Sequence, residues 1–371
     1  MRIIEKYIHQ FPDWLQFHWN QENLAVPLAA VRHRQGHLLG RMEALGFPQQ
    51  NEAMLKTLTL DVLKSSEIEG KILDPEQVRS SIARRLGMDI AGLVPVDRRV
   101  EGVVKMVFEA TQNHAKPLTK ERLFNWHASL FSEGTTGIKV GVWRDDSRGP
   151  MQVVSGAMGR ENVHYEAPPS ERLDAEMEVF LEWANRTGDI DPVLRAAKAH
   201  LWFVTIHPFD DGNGRIARAI VDWALARSEN SAQRFYSMSA QIRRERKEYY
   251  DILEKTQKGT LDVTDWMAWF LGCLDRAIVG TETALATVFR RDQFWKTYSN
   301  VSFNDRQRLI LNKLLDGDFE GKLTSSKWAK LAKCSQDTAH RDILELVEHG
   351  VLLKDSAGGR STSYSLQEPQ L

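Results

Sequence analysis

Residues 207–218 read HPFDDGNGRIAR, a segment that combines several side chains suited to phosphate chemistry. A histidine can accept a proton near neutral pH, an aspartate can bind a hard divalent cation, and arginines can bind phosphate oxygens. Helical spacing relates the apolar residues that follow, which are Ile216, Ala219, Ile220, Trp223 and Ala224. The glycine-containing turn is therefore expected at the start of a helix, where free backbone amides and the helix dipole form an anion site.

The segment resembles the Fic motif, His-x-Phe-x-(Asp/Glu)-Gly-Asn-(Gly/Lys)-Arg-x-x-Arg. All of its fixed positions are matched, by His207, Phe209, Asp211, Gly212, Asn213, Gly214, Arg215 and Arg218. The resemblance implies an enzyme that transfers AMP from ATP to a Ser, Thr or Tyr hydroxyl of a target protein, releasing pyrophosphate. Within the family, a lysine at the position of Gly214 is associated with a kinase-like variant, so glycine favours AMP transfer.

The chemistry of these residues fits that reaction. His207 is the candidate general base, because a neutral imidazole can take the proton of an attacking hydroxyl. Asp211 is the candidate ligand for Mg²⁺, shared with phosphate oxygens. The turn Gly212–Gly214 can approach the phosphates closely, and the Asn213 amide can donate to them. Arg215 and Arg218 offer forked donors for the β- and γ-phosphates.

A second motif lies far upstream, at Ser65–Gly70. Its sequence SSEIEG resembles the Fic inhibitory motif, (Ser/Thr)-x-x-x-Glu-(Gly/Asn). Ser65 and Glu69 share a face if a helix covers about residues 61–73, and Gly70 would let the end of that helix pack closely. The resemblance implies that Glu69 pairs with Arg218 and withholds that guanidinium from the γ-phosphate. The alternative is that this segment is only a solvated helix end.

Between the two motifs, residues 149–169 contain two β-prone runs around a glycine-bearing loop, which predicts a hairpin. In Fic proteins such a hairpin, the flap, holds the target segment as an added strand. Val153 and Val154 are the flap residues expected to do this here. An ordinary surface hairpin is the alternative.

A fourth segment follows the catalytic motif. Tyr249, Tyr250 and Gln257 resemble the family segment that lines the adenine pocket. The basic residues just before them, Arg243, Arg244, Arg246 and Lys247, are expected to form a solvated face. Asp210, beside the motif acid, is expected to be a solvated loop residue.

The composition limits the classes of protein to which the chain can belong. The chain has 371 residues, 42% of them hydrophobic, and a net charge of −1, which argues against a protein that mainly coats nucleic acid. Its two cysteines, Cys273 and Cys334, provide neither a disulfide framework nor a zinc cluster. The longest strongly apolar run, residues 201–206, is too short to span a membrane, and the N-terminus lacks a signal region. No membrane association and a cytoplasmic location, where ATP is available, are therefore expected.

The pattern predicts a mainly α protein. We expect an N-terminal helical region that contains the inhibitory helix at residues 1–95, and a Fic-type helical bundle with its flap at 96–290. Residues 291–371 are expected to form a winged helix-turn-helix domain. The resemblance also allows a homodimer, because Fic proteins often use dimerisation to set their activity.

The C-terminal prediction depends on three helices, at residues 306–315, 327–332 and 336–349, and two strands, at 351–353 and 364–366. The third helix would be the recognition helix, with these residues able to face a DNA groove: Gln336, Thr338, Ala339, His340 and Arg341. Arg360 would lie at the tip of the wing. Residues 322–363 hold seven Lys or Arg against five Asp or Glu, an excess too small to establish DNA binding. A protein-docking module is the alternative.

Two functional classes remain from sequence. The first is the autoinhibited protein adenylyltransferase, which the complete motif with His207 favours because a sensor needs no base. Within it, Glu69 together with His207 could also assist water in removing AMP from a modified target. The second is a DNA-binding transcriptional regulator whose Fic-like domain senses nucleotide without turnover.

If the C-terminal module contacts DNA, a fragment of about residues 295–371 should bind duplex DNA weakly. Its affinity should fall as salt rises, because bound phosphates release counterions. A gel-shift titration at several salt concentrations measures this. Absence of a shift at low salt on every duplex tried would identify the module as a protein-docking element.

Overall fold

The structure is a computed structural model that describes residues 7–131, 137–156, 160, 162–186, 188, 190–315, 319, 321–355 and 362–367. Over these residues it contains fifteen α-helices and four short strands, which confirms the predicted mainly α fold. The chain divides into two compact units: Met1–Ala44 with Gln50–Thr281, and Leu45–Gln49 with Glu282–Leu371. The division into 1–95, 96–290 and 291–371 remains a prediction. None of the helices in these ranges is long and apolar enough to cross a membrane.

The first half of the larger unit is helical. Side-chain oxygens cap four of its helices, since Asn20, Asp74, Asp97 and Thr119 each accept a hydrogen bond from an amide of the first turn. The helices are α1 (Gln21–Glu43), α2 (Phe47–Ile68), α3 (Pro75–Arg85), α4 (Arg98–Gln112) and α5 (Lys120–Leu130).

The second half begins with the predicted hairpin. Strand β1 (Gln152–Ser155) pairs antiparallel with β2 (Asn162–Glu166), and the register shifts between Val153 and Val154. Residues 157–159 of the connecting loop lie outside the described residues. Six helices follow: α6 (Leu173–Asn185), α7 (Pro192–Ile206), α8 (Asn213–Glu229), α9 (Met238–Arg244), α10 (Arg246–Gln257) and α11 (Thr264–Ala284).

Helices α7 and α8 form the centre of this unit and pack against each other. Every residue of α7 from Val193 to Ile206 except Arg195 is buried, as expected for a helix that is apolar on nearly all sides. Helices α4 and α5 both contact α8. The short loop between α7 and α8, which contains the first half of the motif, is thus held between two largely buried helices.

The smaller unit has its own apolar core. Its elements are α12 (Ala286–Thr297), α13 (Asp305–Leu315), α14 (Ser325–Ala332), α15 (Gln336–Glu348), and the antiparallel strands β3 (Leu352–Lys354) and β4 (Tyr364–Leu366). Trp328 and Ile343 are fully buried in that core. Ala339 is fully buried as well, so its predicted place on a groove-facing surface is wrong. Arg360 lies outside the described residues, and the winged helix-turn-helix assignment remains a prediction.

Because its core is self-contained, a fragment of residues 282–371 should fold alone. Trp328→Ala should then destabilise it by about 3–5 kcal/mol, since a large side chain is removed from a packed core. The exposed Lys330→Ala on the same helix is the matched control. Chemical denaturation of the fragment measures both, and equal stability of the two variants would contradict a core centred on Trp328.

Candidate functional site

The loop after α7 is built around two side chains that do no chemistry. Phe209 is fully buried and stacks on His127 with ring centroids 4.2 Å apart. The Asn213 side chain accepts from the Phe209 amide at 3.0 Å and donates to the Phe209 carbonyl at 2.7 Å. The amide that was expected to contact phosphate therefore closes the loop instead. What Asn213 offers toward an anion is its backbone N–H.

The His207 imidazole has a defined tautomer. His207 lies in the left-handed region, with φ 53°, directly after α7. Its Nδ1 lies 3.1 Å from the Val204 carbonyl, which can only accept, so Nδ1 carries the proton and Nε2 is left as the proton acceptor. Gln257 donates to the same carbonyl at 3.4 Å. Burial lowers the pKa of His207 to about 4, so the imidazole is neutral at pH 7.

Helix α8 presents its N-terminus beside this histidine. Gly212 precedes it with φ 84°, and a Cβ there would lie 3.1 Å from Leu130 and Phe131. Among the described residues no side chain caps this end of α8. The first amides of the helix, from Asn213 onward, are therefore available to an anion.

Asp211 is the one residue proposed as a metal ligand. Its carboxylate is 48% exposed, accepts from the Gly212 amide at 2.6 Å, and lies 3.9 Å from Arg215. Within the described ranges no cluster of three or more His, Cys, Asp or Glu is found. A single accessible carboxylate fits Mg²⁺, which is commonly bound through one or two carboxylates together with substrate phosphates.

The inhibitory helix differs from its predicted extent. Helix α2 begins at Phe47 and ends at Ile68, whereas the sequence suggested about residues 61–73. The chain turns at Gly70, where φ is 70° and the following amide, of Lys71, donates to the Ser66 carbonyl at 2.9 Å. Nothing lies within 4 Å of a Cβ built on Gly70, so this glycine serves the turn and not close packing. Glu69 thus lies in the last turn.

The structure brings Glu69 and Arg218 together across 149 residues of chain. Arg218 Nη2 donates to Glu69 Oε1 at 2.9 Å and to the Ser65 carbonyl at 2.8 Å, while Nε donates to Ser65 Oγ at 2.9 Å. Burial opposes the charge on Arg218, but Glu69 raises the pKa of Arg218 above its usual value. Within the described residues Arg218 Nη1 has no hydrogen-bond partner although it is buried.

Glu69 also covers the first turn of α8. A Cβ built on Gly214 would overlap the Glu69 carboxylate and lie 3.3 Å from Arg218 Nη1. Any other residue at this position would require the Glu69 carboxylate to shift. Glu69 therefore lies at the site where free helix amides and arginine donors would meet an anion.

Two contacts anchor the end of α2 and correct the sequence interpretation. Arg246 donates to the Ile68 carbonyl at 3.0 Å, at the C-terminus of the helix. Arg243 lies 3.5 Å from Glu67, which also pairs with Lys64 of the same helix at 2.7 Å. The basic face predicted to be solvated is thus partly used to hold the end of α2.

Two turns before Glu69, a buried acid pair joins α2 to α8. Asp61 accepts from Ser237 Oγ at 2.6 Å and from the Ser239 amide at 3.3 Å. Burial and the neighbouring Asp61 raise the pKa of Asp222 well above its usual range, although Arg234 lies 3.5 Å away. Protonation of Asp222 is therefore favoured by its surroundings, and the protonated carboxyl can donate to Asp61.

The hairpin is fixed to the helices through its second strand. The Tyr165 hydroxyl of β2 donates to the Thr205 carbonyl of α7 at 2.6 Å. His164 bridges Ser155 of β1, at 2.6 Å, and Glu254 of α10, at 2.7 Å. Val154 is 48% exposed and Val153 is half-buried, so the hairpin offers an accessible apolar side chain beside the catalytic loop.

The residues expected at the adenine pocket are mostly buried. Tyr249 is 2% exposed and its hydroxyl lies 2.8 Å from His200 Nε2. Gln257 is 5% exposed and bonds to the end of α7. Tyr250 is the more accessible of the three, and its ring lies under Arg246 at 5.0 Å. Any adenine contact by Tyr249 or Gln257 would need these groups to become accessible.

Sequence reasoning missed two residues that hold the motif loop. His127 is fully buried, with Nε2 3.1 Å from the Asp211 carbonyl and Nδ1 accepting from the Gly141 amide at 3.0 Å. Arg144 donates to the His207 carbonyl at 2.8 Å. Asp210 is not a free loop residue, because it accepts from the Lys139 amide at 2.8 Å. No periodicity marked these residues, and an arginine or histidine in an irregular segment has no distinctive local signature.

Two sequence families match the chain. Residues 117–225 match the family described as "Fic/DOC family", and residues 7–88 match a family described as "Domain of unknown function (DUF4172)". A uridine 5'-monophosphate transferase of Xanthomonas campestris is 33% identical over 120 residues, covering 30% of this chain and 21% of the relative. A protein adenylyltransferase Fic of Drosophila willistoni is 29% identical over 136 residues, covering 35% and 26%. The matches thus cover about a quarter of the length of these curated relatives.

Solved structures share the fold. A Fic family protein from Desulfovibrio desulfuricans superposes with a TM-score of 0.55 at 20% identity, covering 94% of this chain and 97% of that one. A Fic domain containing signaling protein from Bacteroides thetaiotaomicron gives a TM-score of 0.52 at 20% identity, covering 71% and 98%. At these identities the likeness establishes the fold alone.

Asp222→Asn should stabilise the protein increasingly as pH rises. Because the folded state raises the pKa of Asp222, it holds that proton to a higher pH than the unfolded chain does, so stability of the parent falls with rising pH. Asparagine donates the same kind of hydrogen bond without that pH dependence. Denaturation from about pH 5 to pH 8 measures the difference, with the exposed Asp89→Asn as control. A gain that does not change with pH would contradict a raised pKa of Asp222 in the folded state.

Proposed function

The chain carries a Fic/DOC domain at residues 117–225, and from this premise we propose that it is an autoinhibited protein adenylyltransferase. It moves AMP from ATP to a Ser, Thr or Tyr hydroxyl of a target protein and releases pyrophosphate. The observation that carries the proposal is a neutral His207 whose free Nε2 lies beside an uncapped helix start with two buried arginines.

Residues of the motif have separate roles in the proposed reaction. The amides at the start of α8, with Arg215 and Arg218, bind the polyphosphate. The target hydroxyl gives its proton to His207 Nε2 as its oxygen forms a bond to the α-phosphorus. The bond from the α-phosphorus to the bridging oxygen breaks, and pyrophosphate leaves. Asp211 is the residue that would hold Mg²⁺, which supplies charge neutralisation and orientation of the phosphates.

Autoinhibition follows from competition for one guanidinium. Arg218 cannot give the same donors to Glu69 and to the γ-phosphate, and Glu69 fills space over Gly214. With Glu69 in place, ATP is held without the γ-phosphate contact, and its α-phosphate is not aligned with the hydroxyl. Glu69 together with His207 can also activate water, so removal of AMP from a modified target is part of the proposal.

Which nucleobase the site binds is the least constrained part of the proposal. One relative is named a uridine 5'-monophosphate transferase and others are named protein adenylyltransferases. The buried Tyr249 and Gln257 offer few free groups for reading a base. We propose ATP because most of the named relatives use adenylate, and α-labelled UTP is the direct comparison.

The remaining assignments extend this proposal. The flap, through Val153 and Val154, would hold the target protein, in a cytoplasmic setting where ATP is present. A homodimer and DNA contact through the C-terminal unit stay predictions. The nucleotide-sensing regulator is the weaker reading, because an ordered neutral base has no task in a pure sensor.

The test is incubation with α-labelled ATP and magnesium, with label on the protein itself and on lysate proteins as the readout. The parent should be nearly silent, and Glu69→Gly should label roughly 10- to 100-fold more, because a charge-assisted hydrogen bond contributes about 1.5–3 kcal/mol. Adding Arg218→Ala to Glu69→Gly should reverse most of that gain. Adding His207→Ala should lower the rate about 10²–10⁴-fold.

The matched control is Glu76→Gly, which removes an exposed carboxylate in the first turn of α3, the helix that follows the motif. It should stay close to the parent. If Glu69→Gly labels no more protein than Glu76→Gly does, the inhibitory role of residues 65–70 is wrong. Labelling by UTP alone would move the proposal to uridylyl transfer.

A further inference from the structure

We propose that Arg144 is a positioning residue for the transfer reaction, which holds His207 and the end of the flap hairpin at a fixed distance through one guanidinium. This inference rests on the proposed function, because a distance between base and target strand matters only if the base acts on a flap-bound hydroxyl. Arg144 lies in the irregular segment between α5 and β1, outside both motifs.

Arg144 fixes the backbone that carries the base. Its Nε donates to the His207 carbonyl at 2.8 Å, and its backbone amide donates to the Pro208 carbonyl at 2.9 Å. His207 is one of three non-glycine residues with positive φ in the described part of the chain. Such a conformation is strained and persists only where neighbouring structure fixes it. Two hydrogen bonds from one residue, to His207 and its neighbour, provide that fixation.

The other end of the guanidinium holds the hairpin. Nη2 donates to the Pro168 carbonyl at 2.6 Å, two residues beyond β2, and Nη1 donates to Asp146 Oδ1 at 2.6 Å. Asp146 Oδ2 in turn accepts from the Ser170 amide at 2.6 Å. The Arg144 side chain is fully buried, so this bridge is shielded from water. His207 and the C-terminal end of the hairpin at Pro168 therefore cannot move independently while Arg144 is in place.

Arg144 also acts on the imidazole through its charge. Burial is the main reason that the pKa of His207 is low, and the nearby Arg144 lowers that pKa further. Glu69, just beyond α2, and Asp211 in the motif loop act in the opposite direction. The charge of Arg144 thus adds to the effect of burial on the pKa of His207, and its hydrogen bonds keep the base in place. These two contributions can be separated by substitution.

The test compares Arg144→Lys, which keeps the charge, with Arg144→Gln, which removes it, both in the Glu69→Gly protein. We expect both to lower kcat for label transfer to a fixed lysate by about 10- to 100-fold. The KM for ATP should stay nearly constant, because the phosphate donors are elsewhere. Only Arg144→Gln should raise the His207 pKa, read by an NMR titration of the imidazole, and move the acid limb of the rate profile to higher pH. The exposed Arg148→Gln is the matched control.

A merely structural role predicts another pattern. The proposal is overturned if both variants keep kcat, or if the KM for ATP rises as much as kcat falls. Asp146→Asn keeps the arginine and weakens only the contacts that Asp146 makes to Arg144 and to the Ser170 amide. It should lower kcat by a smaller factor, and it provides a second test if the Arg144 variants misfold. The NMR titration needs no turnover. A Glu69→Gly protein that labels nothing would thus refute the proposed function, while an unchanged His207 pKa in Arg144→Gln would refute the charge effect of Arg144.

Discussion

The buried guanidinium of Arg218 is the constraint around which the larger unit is organised. A positive charge that is 98% removed from solvent must have an anionic partner, because desolvation without pairing is expensive. The fold provides one from α2, and the reaction would provide another from a nucleotide. Both partners must approach the same face of α8. The segment that supplies Glu69 therefore has to be held firmly, and its carboxylate must still be replaceable by a phosphate.

The surrounding contacts meet both demands. Ser237 and Ser239, which donate to Asp61, hold the C-terminal part of α2, and Arg246 holds the Ile68 carbonyl at its end. Glu69 lies just beyond the last helical residue, and its amide donates to the Ser66 carbonyl at 3.1 Å. The backbone beside Glu69 is thus anchored, and the carboxylate reaches Arg218 through a side chain that is 28% exposed. Release of the carboxylate would therefore need movement of the Glu69 side chain and not unfolding of α2.

Local motifs could be predicted from the sequence, and the Glu69–Arg218 pair could be expected from the family resemblance, whereas the other long-range partners could not. The helix after Gly214, the hairpin around residues 149–169 and the mainly α fold all follow from spacing and turn residues. Burial of Ala339 and the end of α2 at Ile68 were missed, because spacing alone does not show which face packs or where a positive φ stops a helix. Arg144, His127 and the Asp61–Asp222 pair join segments far apart in the chain. Their partners are set by tertiary packing, which no window of sequence contains.

Gly214 links two properties that are usually considered separate. The same missing Cβ that leaves space for the Glu69 carboxylate also leaves the start of α8 open to the phosphates of the proposed nucleotide. A larger residue at this position would require the Glu69 carboxylate to shift and would narrow the same space for phosphates. Under the proposed function, one missing atom therefore serves both inhibition and phosphate binding, and a substitution at position 214 is expected to change the two together.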